Sequence, residues 1–324
     1  MLVMCVSSVV FSTAMAAKSD FSPPNKMRVP QNNQITPERV ELGKALFFDP
    51  RLSNNNQMSC ATCHNPSLAW TDGLPVAIGK NAKLMQRATP SILNVGYNRK
   101  LLWDGRARSL EEQAVTPIKS DNEMNQSIEQ LVIELRAIQG YPEMFEKAYP
   151  GEGISEKTIS KALATFQRTI VSSYDTPFDR WVAGEQNAIS DAAKNGFELF
   201  DGKARCSVCH AGHNFTDGSF HNIGLDNGKD VGRYEFVKVK ILKGAFKTPT
   251  LRNVTRTAPY MHNGTLKTME AVIDHYIKGG KDKSNLSPDM KAVKLTQREK
   301  SDLIEFLKTL NEKPKPVTVP ILPN

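Results

Sequence analysis

The feature that most constrains this chain of 324 residues is a duplicated motif. Residues 60–64 read Cys-Ala-Thr-Cys-His, and residues 206–210 read Cys-Ser-Val-Cys-His. The pattern Cys-x-x-Cys-His is the attachment signature of c-type haem, because two thiols one helical turn apart can add to the porphyrin vinyl groups while the histidine reaches the iron. A zinc site with four cysteine ligands is the alternative. The histidine that follows each pair favours two covalently attached haems.

The first 17 residues have the character of a secretory signal peptide. They carry no charged side chain and end in Ala14-Met15-Ala16-Ala17. An apolar stretch that ends in small residues is typical of such a leader, although the usual basic start is missing. A buried N-terminal strand is the alternative. We expect cleavage near Ala16 or Ala17 and a periplasmic protein, which agrees with haem attachment outside the cytoplasm.

Composition excludes several classes of protein. Hydrophobic residues make up 40% of the chain and charged residues 23%, as in ordinary globular proteins. The formal charge of +8 is spread along the chain without a basic run, so we expect no nucleic-acid partner. After residue 17 no apolar run approaches the roughly 20 residues that cross a bilayer, and we expect no membrane span.

The duplication extends beyond the motif. Residues 40–47 are similar to residues 193–200, residues 89–95 to residues 248–254, and residues 103–111 to residues 262–270. The motifs lie 146 residues apart (206 − 60), and the last two blocks lie 159 residues apart (248 − 89 and 262 − 103). Because the order of the blocks never changes, we predict two tandem domains after the leader at 1–17, an N-terminal domain at 18–185 and a C-terminal domain at 186–324.

Capping residues and apolar spacing predict a mainly α fold. Helices are expected from Thr36 to Phe47, around Ile159, Leu163, Phe166 and Ile170, and after the capping box Thr296–Glu299. Alternation typical of a strand occurs only in residues 234–241. The proline-rich tail after Glu312 is expected to be irregular.

The blocks together resemble the bacterial dihaem cytochrome c peroxidase and MauG family. The similar segments are Cys-x-x-Cys-His-Asn-Pro at 60–66, Trp-Asp-Gly-Arg-Ala at 103–107, Glu-Gln at 112–113 and Thr-Ala-Pro-Tyr-x-His-x-Gly at 257–264. The resemblance covers nearly all of the chain after the leader. It implies two class-I cytochrome c domains packed face to face, with one haem that reacts with hydrogen peroxide and one that relays or stores oxidising equivalents.

The repeat indicates which haem is open. The resemblance makes His64 and His210 the proximal ligands and places the second ligand of the C-terminal haem at Tyr276. Subtraction of the 159-residue offset leads to Pro117, whose side chain has no donor atom for iron. We therefore assign the peroxide site to the haem of Cys60, Cys63 and His64, and the electron-transfer haem to Cys206, Cys209 and His210.

Two departures from the classical peroxidases point to the MauG-like branch. Those enzymes have methionine where this chain has Tyr276, and a phenolate ligand lowers the potential of iron. A core role for Tyr276, or ligation by Met261, Met269 or His275, stays open. Classical members also close the first haem with a distal histidine, where this chain has Lys80. We expect the first haem to rest five-coordinate or water-bound and to react without prior reduction.

Further roles are implied by the resemblance alone. It makes Glu123 the acid/base group for peroxide cleavage, Gln113 a distal glutamine, Trp103 an inter-haem tryptophan and His262 a residue near a haem propionate. Without the resemblance, Glu123 and Gln113 would be interpreted as solvated helix or loop residues and Trp103 as a core residue. Calcium between the domains is left open. The expected residues Thr257 and Pro259 are present, but Ala88 replaces the usual asparagine ligand.

The predicted function is that of a periplasmic dihaem peroxidase of the MauG-like type, acting through a high-valent state shared by both haems. Its partner would be a small electron-donor protein, a cytochrome c or a cupredoxin, or a protein that it modifies. MauG-type modification uses a surface tryptophan two residues before the second motif, where this chain has Ala204, so Trp181 or another aromatic residue would have to serve. A non-catalytic electron-transfer cytochrome is the rival, and Pro117 argues against it. The oligomeric state is left open.

Overall fold

The computed structural model describes residues 18–24 and 26–324, so the predicted signal peptide lies outside the described residues. The fold is mainly helical, as predicted. The helices are α1 Pro37–Phe48, α2 Cys60–Cys63, α3 Leu110–Lys119, α4 Ile128–Ala137, α5 Gly140–Ala148, α6 Glu156–Thr169, α7 Pro177–Val182, α8 Asp191–Asp201, α9 Met269–Ile277 and α10 Gln297–Lys308. Within the described ranges, none of these helices has the length and apolar character of a transmembrane span.

The predicted helix starts are present with their caps. The Thr36 hydroxyl accepts a hydrogen bond from the Arg39 backbone N–H, and Pro37 occupies the first turn of α1. Thr296 and Glu299 form the reciprocal capping box that opens α10. These motifs are decided by neighbours three residues apart, which is why the sequence predicts them correctly.

Two helix pairs repeat one crossing. Helix α1 crosses α6 at Gly43, where a Cβ atom would lie 2.0 Å from the Ala162 carbonyl oxygen. Helix α8 crosses α10 at Gly196, where a Cβ atom would lie 2.0 Å from the Asp302 carbonyl oxygen. Each glycine lets two backbones approach more closely than any other residue would allow. The sequence repeat is therefore also a repeat of three-dimensional packing.

The described residues form two separate hydrophobic cores. The first core lies within residues 42–170 and contains the α1–α6 pair. The second lies within residues 178–310 and contains the α8–α10 pair, together with Phe21 from the N-terminal segment. Phe178 and Trp181 of α7 belong to the second core, although they precede the boundary predicted between residues 185 and 186. That boundary stays a prediction.

The prediction of a strand in residues 234–241 is wrong. This segment forms short 3₁₀ turns at Arg233–Glu235 and Lys240–Leu242. Its alternating apolar side chains Phe236, Val239 and Ile241 are each 51% exposed, so no core face holds them in a strand. The sheet consists instead of β1 Phe220–His221 paired antiparallel with β2 Phe246–Lys247. The tail after Glu312 is irregular, as expected.

The crossing at Gly196 supports a stability prediction. We expect Gly196→Ala to lower the free energy of unfolding by about 1–3 kcal/mol, because the added methyl group must push α8 away from α10. Asn195→Ala, on the exposed side of the same helix, is the control and should have little effect. Thermal unfolding of the haem-loaded protein, followed by circular dichroism, measures the difference. Equal midpoints for the two variants would show that the crossing tolerates a side chain.

Candidate functional site

A cavity of about 800 Å³ lies between the two Cys-x-x-Cys-His motifs. Its wall includes Cys63 and His64 from the first motif, and Cys206, Cys209 and His210 from the second. Cys60, Cys63, Cys206 and Cys209 are all free thiols. Both attachment motifs therefore open onto one shared space.

The two motif histidines are held in the form that binds a metal. The His64 Nδ1 atom lies 3.1 Å from the Trp70 carbonyl oxygen, and His210 Nδ1 lies 2.9 Å from the Phe215 carbonyl oxygen. Because a carbonyl only accepts, Nδ1 carries the proton and the Nε2 lone pair is free for a metal. Burial lowers the pKa of both rings and keeps them neutral.

The repeat brings Pro117 and Tyr276 to equivalent positions. Helix α3 begins after the N-cap Ser109, and α9 begins after the N-cap Thr268. Pro117 and Tyr276 each lie eight residues beyond their N-cap (117 − 109 and 276 − 268), and both line the cavity. One end of the cavity thus has a side chain without a donor atom, and the other has a phenol.

Tyr276 faces the second motif. Burial raises the pKa of its phenol, and the thiols of Cys206 and Cys209 raise it further. Since all three influences favour the neutral phenol, a phenolate here needs a nearby cation such as ferric iron. The position and chemistry of Tyr276 fit an iron ligand at this end of the cavity.

The alternatives to Tyr276 differ in where they lie. His275 Nε2 is 2.8 Å from the Ile223 carbonyl oxygen, and His275 is not part of the cavity wall. Met261 and Met269 do line the cavity. The geometry thus disfavours the histidine and leaves the two methionines as neighbours of the same space.

Glu123 and Gln113 are brought beside Pro117 by α3 and the turn after it. Gln113 lies one helical turn before Pro117 on the same face. The chain then folds back, with the Met124 backbone N–H donating to the Pro117 carbonyl oxygen at 3.1 Å. Both Glu123 and Gln113 line the cavity. Burial raises the pKa of the Cys63 thiol, and the Asp72 and Glu123 carboxylates raise it further. A carboxylate and an amide therefore meet at the end that Pro117 leaves open.

Lys80 does not face this space. Its backbone N–H donates to the Asn122 carbonyl oxygen at 3.1 Å, and a Cβ atom on Gly79 would lie 1.9 Å from the same oxygen. The cavity wall includes Lys83 and Met85 of this loop but not Lys80. The loop is thus fixed against the turn that carries Glu123.

Trp103 and His262 lie together where the two repeats meet. Their ring centroids are 6.3 Å apart, and the Trp103 indole N–H donates to the Ala88 carbonyl oxygen at 2.9 Å. His262 stacks on Phe246 at 3.5 Å, and burial lowers its pKa to about 4. The His262 Nε2 atom is buried without a hydrogen-bond partner among the described residues, and the ring lines the cavity.

The expected calcium residues lie in the same region. Thr257 and Pro259 line the cavity, but Ala88 supplies no side-chain oxygen, and its carbonyl oxygen already accepts from Trp103. Calcium therefore remains only a prediction, with fewer oxygen ligands than the ion prefers.

Cationic side chains of the wall were missed by the sequence analysis. They are Lys83, Arg87, Arg106, Arg205, Lys247, Arg252 and Lys291. Arg87 pairs with Asp104 and Asp230, and burial lowers the pKa of Lys247 to about 8. Such charges suit the anionic propionates of haem. No local pattern marks them, because basic residues are spread along the whole chain.

An ion pair beside Cys209 was also missed. His221 Nε2 lies 2.8 Å from a carboxylate oxygen of Asp217, and this bond, with the Cys209 thiol, raises the pKa of His221 to about 10.

The residue that replaces the MauG-type tryptophan, Ala204, is buried in the cavity wall, and Trp181 is buried in the second core. Free thiols, neutral imidazoles and cationic walls together fit two haems.

Comparison with known proteins gives a consistent result. The di-haem cytochrome c peroxidase family matches residues 37–187. The methylamine utilization protein MauG of Methylorubrum extorquens is 49% identical over 311 residues, which is 95% of this chain and 88% of that protein. The cytochrome c551 peroxidase of Pseudomonas aeruginosa is 32% identical, over 95% of this chain and 88% of the relative.

Solved structures agree with these sequence relatives. The crystal structure of a MauG-like protein associated with microbial copper homeostasis has a TM-score of 0.84 and 33% identity, over 90% of this chain and 94% of that one. The diheme peroxidase BthA of Burkholderia thailandensis, at 22% identity and a TM-score of 0.75 over 90% of this chain and 94% of that one, shares the fold.

Proposed function

The chain belongs to the dihaem cytochrome c peroxidase and MauG family of oxidoreductases, and we propose that it is a periplasmic, MauG-like enzyme that reduces hydrogen peroxide at its N-terminal haem. In this proposal two class-I cytochrome c domains each hold one haem c. Cys60 and Cys63 attach the first and Cys206 and Cys209 the second, through thioether bonds. His64 and His210 are the proximal ligands.

The observation that carries the proposal is that two equivalent positions of the repeat hold different side chains. Pro117 and Tyr276 occupy the same place in α3 and α9, and both line the cavity. Proline offers no ligand atom, so a first haem iron would be left open to peroxide, whereas the Tyr276 oxygen would be available to ligate the second. An electron-transfer cytochrome would need a ligand at both positions, and this difference argues against that alternative.

When bound, the first haem supplies an iron that binds a peroxide oxygen. It also supplies the electrons that reduce the peroxide. The protein's part is proton transfer and orientation. Glu123 takes the proton of one peroxide oxygen on its carboxylate and returns it to the departing oxygen, which leaves as water. The Gln113 amide orients the peroxide by hydrogen bonding. Trp103 lines the cavity that both attachment motifs share, and in this proposal it passes electrons between the haems.

The proposal includes two fates for the oxidising power. A small electron-donor protein, such as a cytochrome c or a cupredoxin, reduces the enzyme, or a partner protein is oxidised as a modification. Two sequence relatives carry the name of methylamine utilization protein MauG, and others are named cytochrome c peroxidases. Ala204 separates this chain from the MauG-type route, so we favour reduction by a donor protein.

The resting state tests the proposal directly. Because Lys80 lies outside the cavity wall and Pro117 offers no ligand, we expect one high-spin and one low-spin ferric haem, and reaction with peroxide without prior reduction. Electron paramagnetic resonance of the resting protein counts the high-spin haems. Two low-spin haems, with activity only after one-electron reduction, would contradict the proposal.

The role of Glu123 has a kinetic test. We expect Glu123→Gln to slow peroxide consumption in the first turnover roughly 10²-fold or more, the usual scale for a lost general acid/base, and to leave both resting spectra unchanged. Asp121→Asn is a matched control, since Asp121 is an exposed carboxylate in the same turn. Stopped-flow absorption measures both variants. Equal rates for Glu123→Gln and the parent would place the proton-transfer group elsewhere.

The role of Tyr276 has a spectroscopic test. Tyr276→Phe removes the donor oxygen and keeps the buried ring, so we expect packing to survive and electron paramagnetic resonance to detect two high-spin haems, or a second haem with a new ligand. A low-spin signal identical to that of the parent would make Tyr276 a core residue. Met269→Leu and Met261→Leu would then identify the ligand.

A further inference from the structure

Three polar aromatic side chains form a cluster where the repeats meet, and the proposed chemistry does not use them. We define the tyrosine–histidine cluster as Tyr97, His213 and Tyr174. The Tyr97 and His213 ring centroids are 5.0 Å apart, and those of Tyr174 and His213 are 6.3 Å apart. Each residue comes from a different part of the chain, so tertiary packing alone assembles the cluster.

The cluster connects the cavity wall with the protein surface. Val95 and Asn98, on either side of Tyr97, line the cavity. Arg252 also lines it and donates through Nε to the His213 carbonyl oxygen at 2.7 Å. Tyr97 and Tyr174 are both half-buried residues, and the Tyr174 hydroxyl itself is buried. The cluster therefore adjoins residues of the cavity wall and is itself only partly covered by the protein.

The cluster contains polar atoms that packing leaves unsatisfied. The Tyr174 hydroxyl and His213 Nε2 are buried and have no well-aligned hydrogen bond to any described residue. Burial raises the pKa of the Tyr174 phenol, the Arg252 charge lowers it, and the neighbouring Tyr97 hydroxyl raises it. Tyr174 also has a left-handed backbone, with φ of 50°. Unsatisfied groups and backbone strain of this kind concentrate at functional sites.

A buried cation decides how Tyr174 can be oxidised. The Arg252 guanidinium carbon lies 4.5 Å from the centre of the Tyr174 ring, and Arg252 is held by a two-pronged ion pair with Asp179. A fixed positive charge disfavours a cationic ring, so the phenol must lose its proton together with the electron. His213 is the imidazole in the cluster, and burial and Arg252 lower its pKa, which keeps the ring neutral and makes it a poor proton acceptor.

We propose that the tyrosine–histidine cluster is a redox relay through which electrons enter the enzyme one at a time. The inference rests on the proposed function, which supplies hydrogen peroxide as the oxidant. Reduction of one peroxide to two waters takes two electrons and two protons. In each passage a tyrosine gives one electron toward the cavity and releases its hydroxyl proton to water at the partly exposed edge of the cluster. The resulting neutral tyrosyl radical is restored by one electron from an external donor and by one proton from water.

The test uses the full haem-loaded protein, one equivalent of hydrogen peroxide and no electron donor. The nitroso spin trap 2-methyl-2-nitrosopropane captures tyrosyl radicals, and peptide mass spectrometry locates the adduct. We expect adducts at Tyr97 or Tyr174, and their loss to the level without peroxide in the double variant Tyr97→Phe/Tyr174→Phe. Both changes keep the ring, and at Tyr174 the lost hydroxyl has no well-aligned partner to strand. Tyr234→Phe, at a half-buried tyrosine outside the cluster, is the matched control.

Peroxide consumption in the first turnover, followed in the same samples, separates the two proposals. The inference predicts the parent rate in the double variant, because the relay acts after peroxide has been bound. Consumption without any tyrosine adduct in the parent would overturn the relay and leave the peroxidase proposal intact. Adducts that persist in the double variant, or that disappear in Tyr234→Phe, would place the radical elsewhere and overturn the relay. A parent protein that consumes no peroxide would overturn both.

Discussion

The shared cavity depends on hydrogen bonds that join the two repeats through their backbones. The Ala88 N–H donates to the His262 carbonyl oxygen, and the Lys247 N–H donates to the Trp103 carbonyl oxygen, each at 2.7 Å. All four residues line the cavity, and each bond pairs a backbone donor of one repeat with a backbone acceptor of the other. Whatever passes between the proposed haems therefore passes beside this junction of the repeats.

Near-symmetry in packing makes the chemical asymmetry informative. The crossings at Gly43 and Gly196 and the N-caps Ser109 and Thr268 place the two halves in register. Against that background a single pair, Pro117 and Tyr276, separates an open end from a closed one. A duplicated fold thus needs few substitutions to acquire two different metal environments, because the scaffold around each stays the same.

Charge is distributed around the cavity in a way that suits both cofactor and catalysis. Arginine and lysine side chains of the wall balance anionic groups, whereas burial keeps His64 and His210 neutral for metal binding. The end of the cavity at the second motif has an ion pair, His221 with Asp217, beside the attachment cysteine Cys209. The two ends therefore differ in electrostatics as well as in ligands.

The sequence by itself determined the attachment motifs, the repeat, the mainly helical fold and the capped helices, because each depends on residues that are near neighbours or on an offset that can be counted. The equivalence of Pro117 and Tyr276 also followed from that offset. Residues 234–241 were mistaken for a strand, since alternation does not reveal that Phe236 and Ile241 are exposed. Only the tertiary structure brought Lys247 and Arg252 to the cavity and assembled the tyrosine–histidine cluster beside its wall. It also turned Lys80 and His275 away from the cavity and placed Phe178 in the second core. Those outcomes depend on which distant segments pack together, and that choice is made by the whole core and not by any local pattern.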